Sequence, residues 1–401
     1  MAVYQAPGVY VEEVPSSNRP IAGVGTSTAG FVGVSAVSRI NMPVKPEFAG
    51  VEPDVEANHE ELIADNTPVR ITNWEEFKKY FGDFDASNAD LAHGVYGFFN
   101  NGGTACWVVK VADAATDIEF GHALDELKGI DEVAIVAAPG VALDGIEEHN
   151  IVATAIQKKV VEHCEAMEDR FAILDGSSVD TKAADDICDP AVKSQNGYCA
   201  VYFPWIMVSD PLNAASTVAI APSGHMAGIY ARSDNTRGVH KAPANEMIRG
   251  SLGVAKRLNK SDHGPLNDVG INVIRDLNGS ITVMGGRTFT PDVNSSPFKY
   301  VNIRRLMNAV RESIDEGTRW TVFEPNDQAL WKKIRRNLTA YLTNVWRDGA
   351  LFGETPAQAF YVKCDEETNP AAVRDLGMVV TEIGIATVKP AEFVVFRISH
   401  S

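Results

Sequence analysis

No stretch of the chain approaches the roughly 18 uninterrupted apolar residues that a membrane-crossing helix needs. The opening residues, Met1-Ala2-Val3-Tyr4-Gln5-Ala6-Pro7-Gly8, have neither a basic n-region nor a long apolar run. Sec export and direct membrane insertion are therefore not expected. Cysteine is scarce, and the five present (Cys106, Cys164, Cys188, Cys199 and Cys364) form no CxxC pair. An odd number of scattered thiols fits reduced core cysteines in a protein made in a cytoplasm. Positive charge is also short: Lys plus Arg is 36 against 53 for Asp plus Glu, a formal charge of −17. That balance excludes a broad nucleic-acid footprint and requires any close self-assembly to place its charges with care.

Catalytic signatures are missing as well. There is no GxxxxGK[ST] phosphate loop, no HExxH and no GxSxG elbow. Gly23-Val24-Gly25 opens like a dinucleotide loop, but Thr28 stands where the third glycine belongs and a strand follows instead of a helix. Nine histidines are scattered, and neither His59-Glu60-Glu61 nor His149 has a spacing that builds a metal site. No catalytic, cofactor-binding or metal-ligating residue is assigned, and no cofactor is expected. One polar cluster, Asp175, Ser177, Ser178 and Asp180, follows a strand ending at Leu174, the edge where α/β enzymes place catalytic groups. A polar turn explains it equally well, because no partnered base is in view.

What is present is an ordinary folded composition, 45% hydrophobic and 22% charged over 401 residues, enough for two or three domains. A short alternating strand, Val9 to Val14, sits between prolines and a polar turn cluster, like an arm leading into a body. A Gly-rich apolar stretch over 21–35 predicts a buried strand, and Arg39 to Pro68 a surface insertion. Strand and helix then alternate. Val69-Arg70-Ile71 is a brief strand, and Asn73 with Glu76 forms a capping-box pattern for a helix from Trp74 to Tyr80. A helix follows over 89–100 and a strand over 105–111. Beyond the strand Glu132 to Ala138, a helix carries Val152, Ile156, Val160, Cys164 and Met167 on one face. The strand Arg170 to Leu174, an apolar strand Cys199 to Val208 and a helix over 223–232 complete an α/β pattern with a largely parallel sheet.

After about Gly270 the character changes. A helix bears Ile303, Leu306, Met307, Val310 and Ile314 on one stripe, with Gly317 as its expected stop. A second carries Trp331, Ile334, Leu338, Tyr341, Leu342 and Val345, capped by Asn326 or Asp327 and ended by Gly349. Its outer face holds Lys332, Lys333, Arg335 and Arg336, a basic cluster in an acidic protein: either a solvated face or a dock for an acidic partner. Two strands close the sequence, 383–388 and 392–398, separated by Lys389-Pro390-Ala391.

Six stretches in order resemble the tail-sheath family of contractile phages and extracellular contractile injection systems. They are YQAPGVYVEE (4–13), ITNWEEFKKYFG (71–82), FFNNGGTACWVV (98–109), AGIYARSDNTRGVHKAPAN (227–245), GTRWTVFEPND (317–327) and VKPAEFVVF (388–396). The resemblance implies a subtilisin-like α/β domain without protease activity and an α+β C-terminal sheath domain, with extended arms at both ends. The expected divisions are an N-terminal arm (1–20), an N-terminal α/β part (21–110, insertion 39–68), the α/β domain (111–270), the sheath domain (271–388) and a C-terminal arm (389–401). It also implies a homo-oligomer of sixfold rings stacked helically around an inner tube protein, with baseplate and cap proteins at the ends. Such a particle assembles in the cytoplasm and then serves as a virion tail or an extracellular particle. The modest length favours a compact injection-system sheath over a large decorated phage sheath.

By that resemblance the arm strands that link neighbours are Val9, Tyr10, Val11, Glu12 and Val14, with Phe393, Val394, Val395, Phe396 and Ile398. Lys332, Lys333, Arg335 and Arg336 are expected to face the tube. A soluble α/β hydrolase and a static shell or baseplate protein stay open as alternatives.

Overall fold

The computed structural model describes residues 20–49, 58–112, 116–213 and 215–393. Its strands are β1 (Ala29–Val34), β2 (Val69–Ile71), β3 (Cys106–Val111), β4 (Ile135–Ala137), β5 (Phe171–Asp175), β6 (Cys199–Phe203), β7 (Ile206–Ser209), β8 (Thr217–Ile220), β9 (Glu246–Met247), β10 (Gly253–Val254), β11 (Ile271–Leu277), β12 (Ser280–Val283), β13 (Phe360–Lys363) and β14 (Glu382–Ile385). The helices are α1 (Trp74–Phe81), α2 (Ala89–Asn101), α3 (Asp117–Leu127), α4 (Glu147–Met167), α5 (Ala184–Ile187), α6 (Ser223–Arg237), α7 (Lys260–Asp268), α8 (Val301–Thr318), α9 (Gln328–Arg347), α10 (Pro356–Ala359) and α11 (Ala371–Arg374).

A nine-stranded sheet runs β2-β3-β1-β4-β5-β6-β11-β12-β9. Its six central strands are parallel, and antiparallel strands close both edges. Successive side chains of a strand point to opposite faces, which sorts the core into two layers. Phe31, Val108, Ile135, Ile173 and Tyr202 face α2 and α6, whereas Val32, Val109, Val136, Leu174 and Val201 face α3, α4 and α7. Burial on both faces explains why these strands read as continuous apolar runs.

Several expectations change in the folded chain. The run from Cys199 to Val208 is two strands, because Pro204 has no N–H to give a ladder; β6 stays in the large sheet and β7 joins β8 and β10 in a small antiparallel one. β11 lies parallel beside β6, so the sheet continues past the division expected at residue 270, and β1 to β3 share it with β4 to β6. Asn73 does cap α1, accepting from the Glu76 N–H at 2.9 Å, but the Glu76 carboxylate reaches back to the Thr72 N–H and hydroxyl instead of closing a box. On α4, Val152 is exposed while Ile156, Val160 and Cys164 are buried. The 39–68 insertion carries only short 3-10 turns and a Val44–His59 bridge among its described residues. All five cysteines are buried free thiols.

The C-terminal unit packs α8 and α9 against the antiparallel β13–β14 pair around Leu306, Val310, Trp331, Ile334, Leu338, Leu342 and Phe360. Asp327 caps α9, accepting from the Leu330 N–H at 2.8 Å. The helix ends at Arg347, and Gly349, two residues on, takes φ +81°. Gly317 is no stop: α8 runs through it to Thr318. A Cβ at Gly317 would lie 2.6 Å from Ile21, so the glycine makes room for the incoming chain. No described helix is long and apolar enough to cross a membrane.

Candidate assembly surfaces

The helical stripe of α9 dictates its two faces. Leu330, Trp331, Ile334, Leu338 and Leu342 are buried, which turns Lys332, Lys333, Arg335 and Arg336 outward, all four exposed on neighbouring turns. The expected basic face is therefore assembled by the fold, in a protein whose overall charge has the opposite sign.

Of the arm residues, Val9 to Val14 and Val394 to Ile398 lie outside the described residues. Phe393 is described: it is 73% exposed and belongs to no strand. What the structure defines is how the chain enters and leaves the body. Residues 21–26 run along α8 in the reverse direction. Ile21 packs against Gly317, the Val24 N–H donates to Ser313 Oγ at 3.0 Å, and Arg305 Nη2 donates to the Thr26 carbonyl at 2.8 Å. Arg305 also forms a bidentate pair with Asp234 of α6 at 3.0 and 2.6 Å, both side chains only 3% exposed, with Tyr230 under the guanidinium. Thr26 Oγ1 donates to the same carboxylate at 2.6 Å.

At the other end Glu392 is held by four donors. Arg287 gives Nε at 2.7 Å and Nη2 at 2.9 Å, Asn267 gives Nδ2 at 2.7 Å, and Tyr300 gives its hydroxyl at 3.0 Å. Burial alone would raise the Glu392 pKa, but the hydrogen bonds and charge of Arg287, with help from Asn267 and Tyr300, hold it below the ordinary value. Arg287 is itself buried and fixed, its N–H on Asn272 Oδ1 at 2.8 Å and its Nη1 on the Asn267 carbonyl at 2.8 Å. Sequence reasoning did not single out Arg287, Arg305, Asp234 or Glu392. The one local hint was an acidic residue placed between a proline turn and an apolar run, Pro390-Ala391-Glu392-Phe393.

The polar edge after β5 has a structural use. Asp175 is buried and accepts from the Ser223 N–H at 2.7 Å, the Ser223 hydroxyl at 2.7 Å and the Gly140 N–H at 3.2 Å, which places its carboxylate on the first turn of α6. The Ser177 hydroxyl donates to the Leu143 carbonyl at 2.7 Å, and Ser178 reaches the same oxygen at 3.5 Å. Burial pushes the Asp175 carboxyl up to about 7 against these hydrogen bonds. A folded-state pKa above the unfolded value means the folded state binds the extra proton, so this group's contribution to stability falls as pH rises from about 4 through 7. Asp175→Asn should therefore gain stability relative to the wild type between pH 5 and pH 8. Thermal melts of both proteins across that range check the sign; a difference independent of pH would show that the carboxyl does not titrate there.

The phage tail sheath protein central domain matches residues 113–289, and the phage tail sheath C-terminal domain matches residues 293–401. A tail sheath protein of Vibrio phage KVP40 is 29% identical over 176 residues, 43% of this chain and 25% of that protein. Two solved structures are similar over essentially the whole chain. The helical sheath of the anti-feeding prophage in its contracted state is 26% identical, covering 100% of both chains with a TM-score of 0.76. The sheath complex of the extracellular contractile injection system PVC, also contracted, is 26% identical, covering 100% of this chain and 99% of that one with a TM-score of 0.76. The curated relatives are matched over only 22% to 57% of their own length. With two consecutive sheath domains accounting for most of its length and a full-length likeness to contractile sheaths, the chain belongs to the contractile tail sheath family.

Proposed function

We propose that this protein is the sheath subunit of a contractile, phage-tail-like particle. It polymerises as sixfold rings stacked helically around an inner tube, with baseplate and cap proteins at the ends, and its contraction drives the tube through a target envelope. It assembles in the cytoplasm, acts in a virion tail or an extracellular particle, and turns over no substrate. The observation that carries this reading is the end-to-end likeness to two contracted injection-system sheaths.

Physical chemistry supports the linkage. The antiparallel β13–β14 pair stands as a two-stranded sheet among the described residues, a marginal arrangement with open edges. Strands donated by neighbouring copies, Val9 to Val14 from one and Phe393 to Ile398 from another, would satisfy those backbone groups and complete the sheet. Bodies linked in this way can rotate while the links persist. The energy of contraction then comes from new contacts between bodies in a lattice assembled in a metastable state, without a nucleotide. The outward cations of α9 supply a surface for an acidic tube.

Negative-stain electron microscopy of the chain expressed alone, beside a version lacking residues 1–20, tests the proposal. Long striated tubes from the full chain and none from the truncation are expected. Monodisperse monomers from both would sink it. Reversing Lys332, Lys333, Arg335 and Arg336 to glutamate should leave tube formation by the sheath alone intact and weaken its assembly on the inner tube; normal loaded particles would remove α9 from that role. A baseplate of the anti-feeding prophage is matched as well, at 26% identity and a TM-score of 0.75. Closed rings that never extend into tubes would favour that second reading.

A further inference from the structure

We propose that α8 is a strut holding the two chain ends at a fixed separation, and that Glu392 is the positioning residue that locks the C-terminal end to it. This rests on the arm-linked reading above and adds where the arms are rooted. Ile21 sits at Gly317 near the C-terminal end of α8, Val24 at Ser313, and Thr26 at Arg305 in the second turn. The chain preceding Ile21 is thus rooted at that end. The opposite end holds the other root: Tyr300, the residue before α8, donates to Glu392, and Asn302 Nδ2 donates to the Val388 carbonyl at 3.4 Å. Tyr300 and Gly317 are 17 steps apart in the chain (317 − 300), which at about 1.5 Å per residue puts the roots about 25 Å apart along α8.

The two anchors differ in kind. The N-terminal root combines an apolar contact with backbone and ion-pair contacts spread over six residues. The C-terminal root concentrates on one carboxylate. Glu392 takes the Arg287 fork plus two neutral donors in a mostly buried setting, where charge-assisted bonds of fixed geometry are strongest. Arg287 follows β12, so the same latch fastens the chain end to the large sheet as well as to the start of α8. Immediately afterwards Phe393 is exposed. Among the described residues the latch is therefore the last anchored point before Phe393. With the N-terminal root on α8 and the C-terminal root on Tyr300 at its start, tension on either arm reaches the other through an axially stiff element, and the spacing of a subunit's links stays constant while its body turns.

The test compares the full chain with Glu392→Ala, Tyr300→Phe and a version ending at Phe393. Hydrogen–deuterium exchange is followed in dispersed subunits and striation regularity in tubes. Glu392→Ala should raise exchange over 386–393 by about tenfold while β5 stays protected, and its tubes should lose regular striation. Tyr300→Phe, which removes one bond of four, should shift both readouts less. Regular tubes from Glu392→Ala, or unchanged exchange at 386–393, would overturn the latch. If Glu392→Ala fails to fold, Tyr300→Phe decides: no change in either readout overturns the proposal. Regular tubes from the version ending at Phe393 would instead remove the arm-linked reading itself.

Discussion

Replacing Arg305 by alanine should cost about 3–5 kcal/mol of folding stability, the range seen when one member of a buried ion pair is removed. The reason lies in what remains. Asp234 would stay in a site where its side chain is 3% exposed, with only the Thr26 hydroxyl left of the partners named here, and the Thr26 carbonyl would lose its guanidinium donor. Stacking over Tyr230 would go as well. Because Arg305 belongs to α8, Asp234 to α6 and Thr26 to the entering chain, the loss would fall on the joint between the C-terminal unit and the central sheet. Replacing both charged residues together, Arg305→Met with Asp234→Leu, should cost clearly less, since the desolvation penalty disappears with the charges. Urea unfolding followed by circular dichroism measures both. A loss under about 1 kcal/mol for Arg305→Ala would mean that water reaches Asp234.

Gly224→Val should cost at least about 3 kcal/mol or abolish soluble expression, at or beyond the upper end of ordinary overpacking. A Cβ at Gly224 would lie 2.2 Å from the Gly94 carbonyl oxygen and 2.4 Å from its Cα, so α2 and α6 meet backbone to backbone. Backbone atoms cannot rotate away as a side-chain tip can. The helices would have to separate, opening the layer that contains Phe98, Met226 and Phe31, and the Asp175 cap on the first turn of α6 would move with them. Gly224→Ala should show the same effect at smaller size. Soluble yield and thermal midpoint report it, and a Gly224→Val protein melting like the wild type would show that the two helices are not in that contact.

Much of this protein was legible residue by residue. Apolar spacing in α9, with Asp327 before it and Gly349 after it, foretold the helix, its buried stripe and the outward direction of four cations. β-branched runs between turn residues foretold the parallel strands. The misreadings came where a local pattern met a competing demand. Pro204 sits inside an apolar run, yet its missing N–H divides that run between two sheets. Gly317 looks like a helix stop, yet its lack of a side chain serves the packing of Ile21, nearly three hundred residues earlier in the chain. Val152 fits the periodicity of α4, but burial on that helix sets in only at Ala153 and Ile156.

Element type and amphipathic direction follow from periods of two and 3.6 residues and from caps, all of which act within a few positions, so they stand in the linear order of side chains. The resemblance to the sheath family likewise rests on six short strings, each readable in the linear order of residues. The roots of the two chain ends are different. Arg287 meets Glu392 across 105 positions and Arg305 meets Asp234 across 71, and any of the chain's many acids could have served by sequence alone. Only folding, by withdrawing those particular pairs from water, decides which charges hold the ends of the chain.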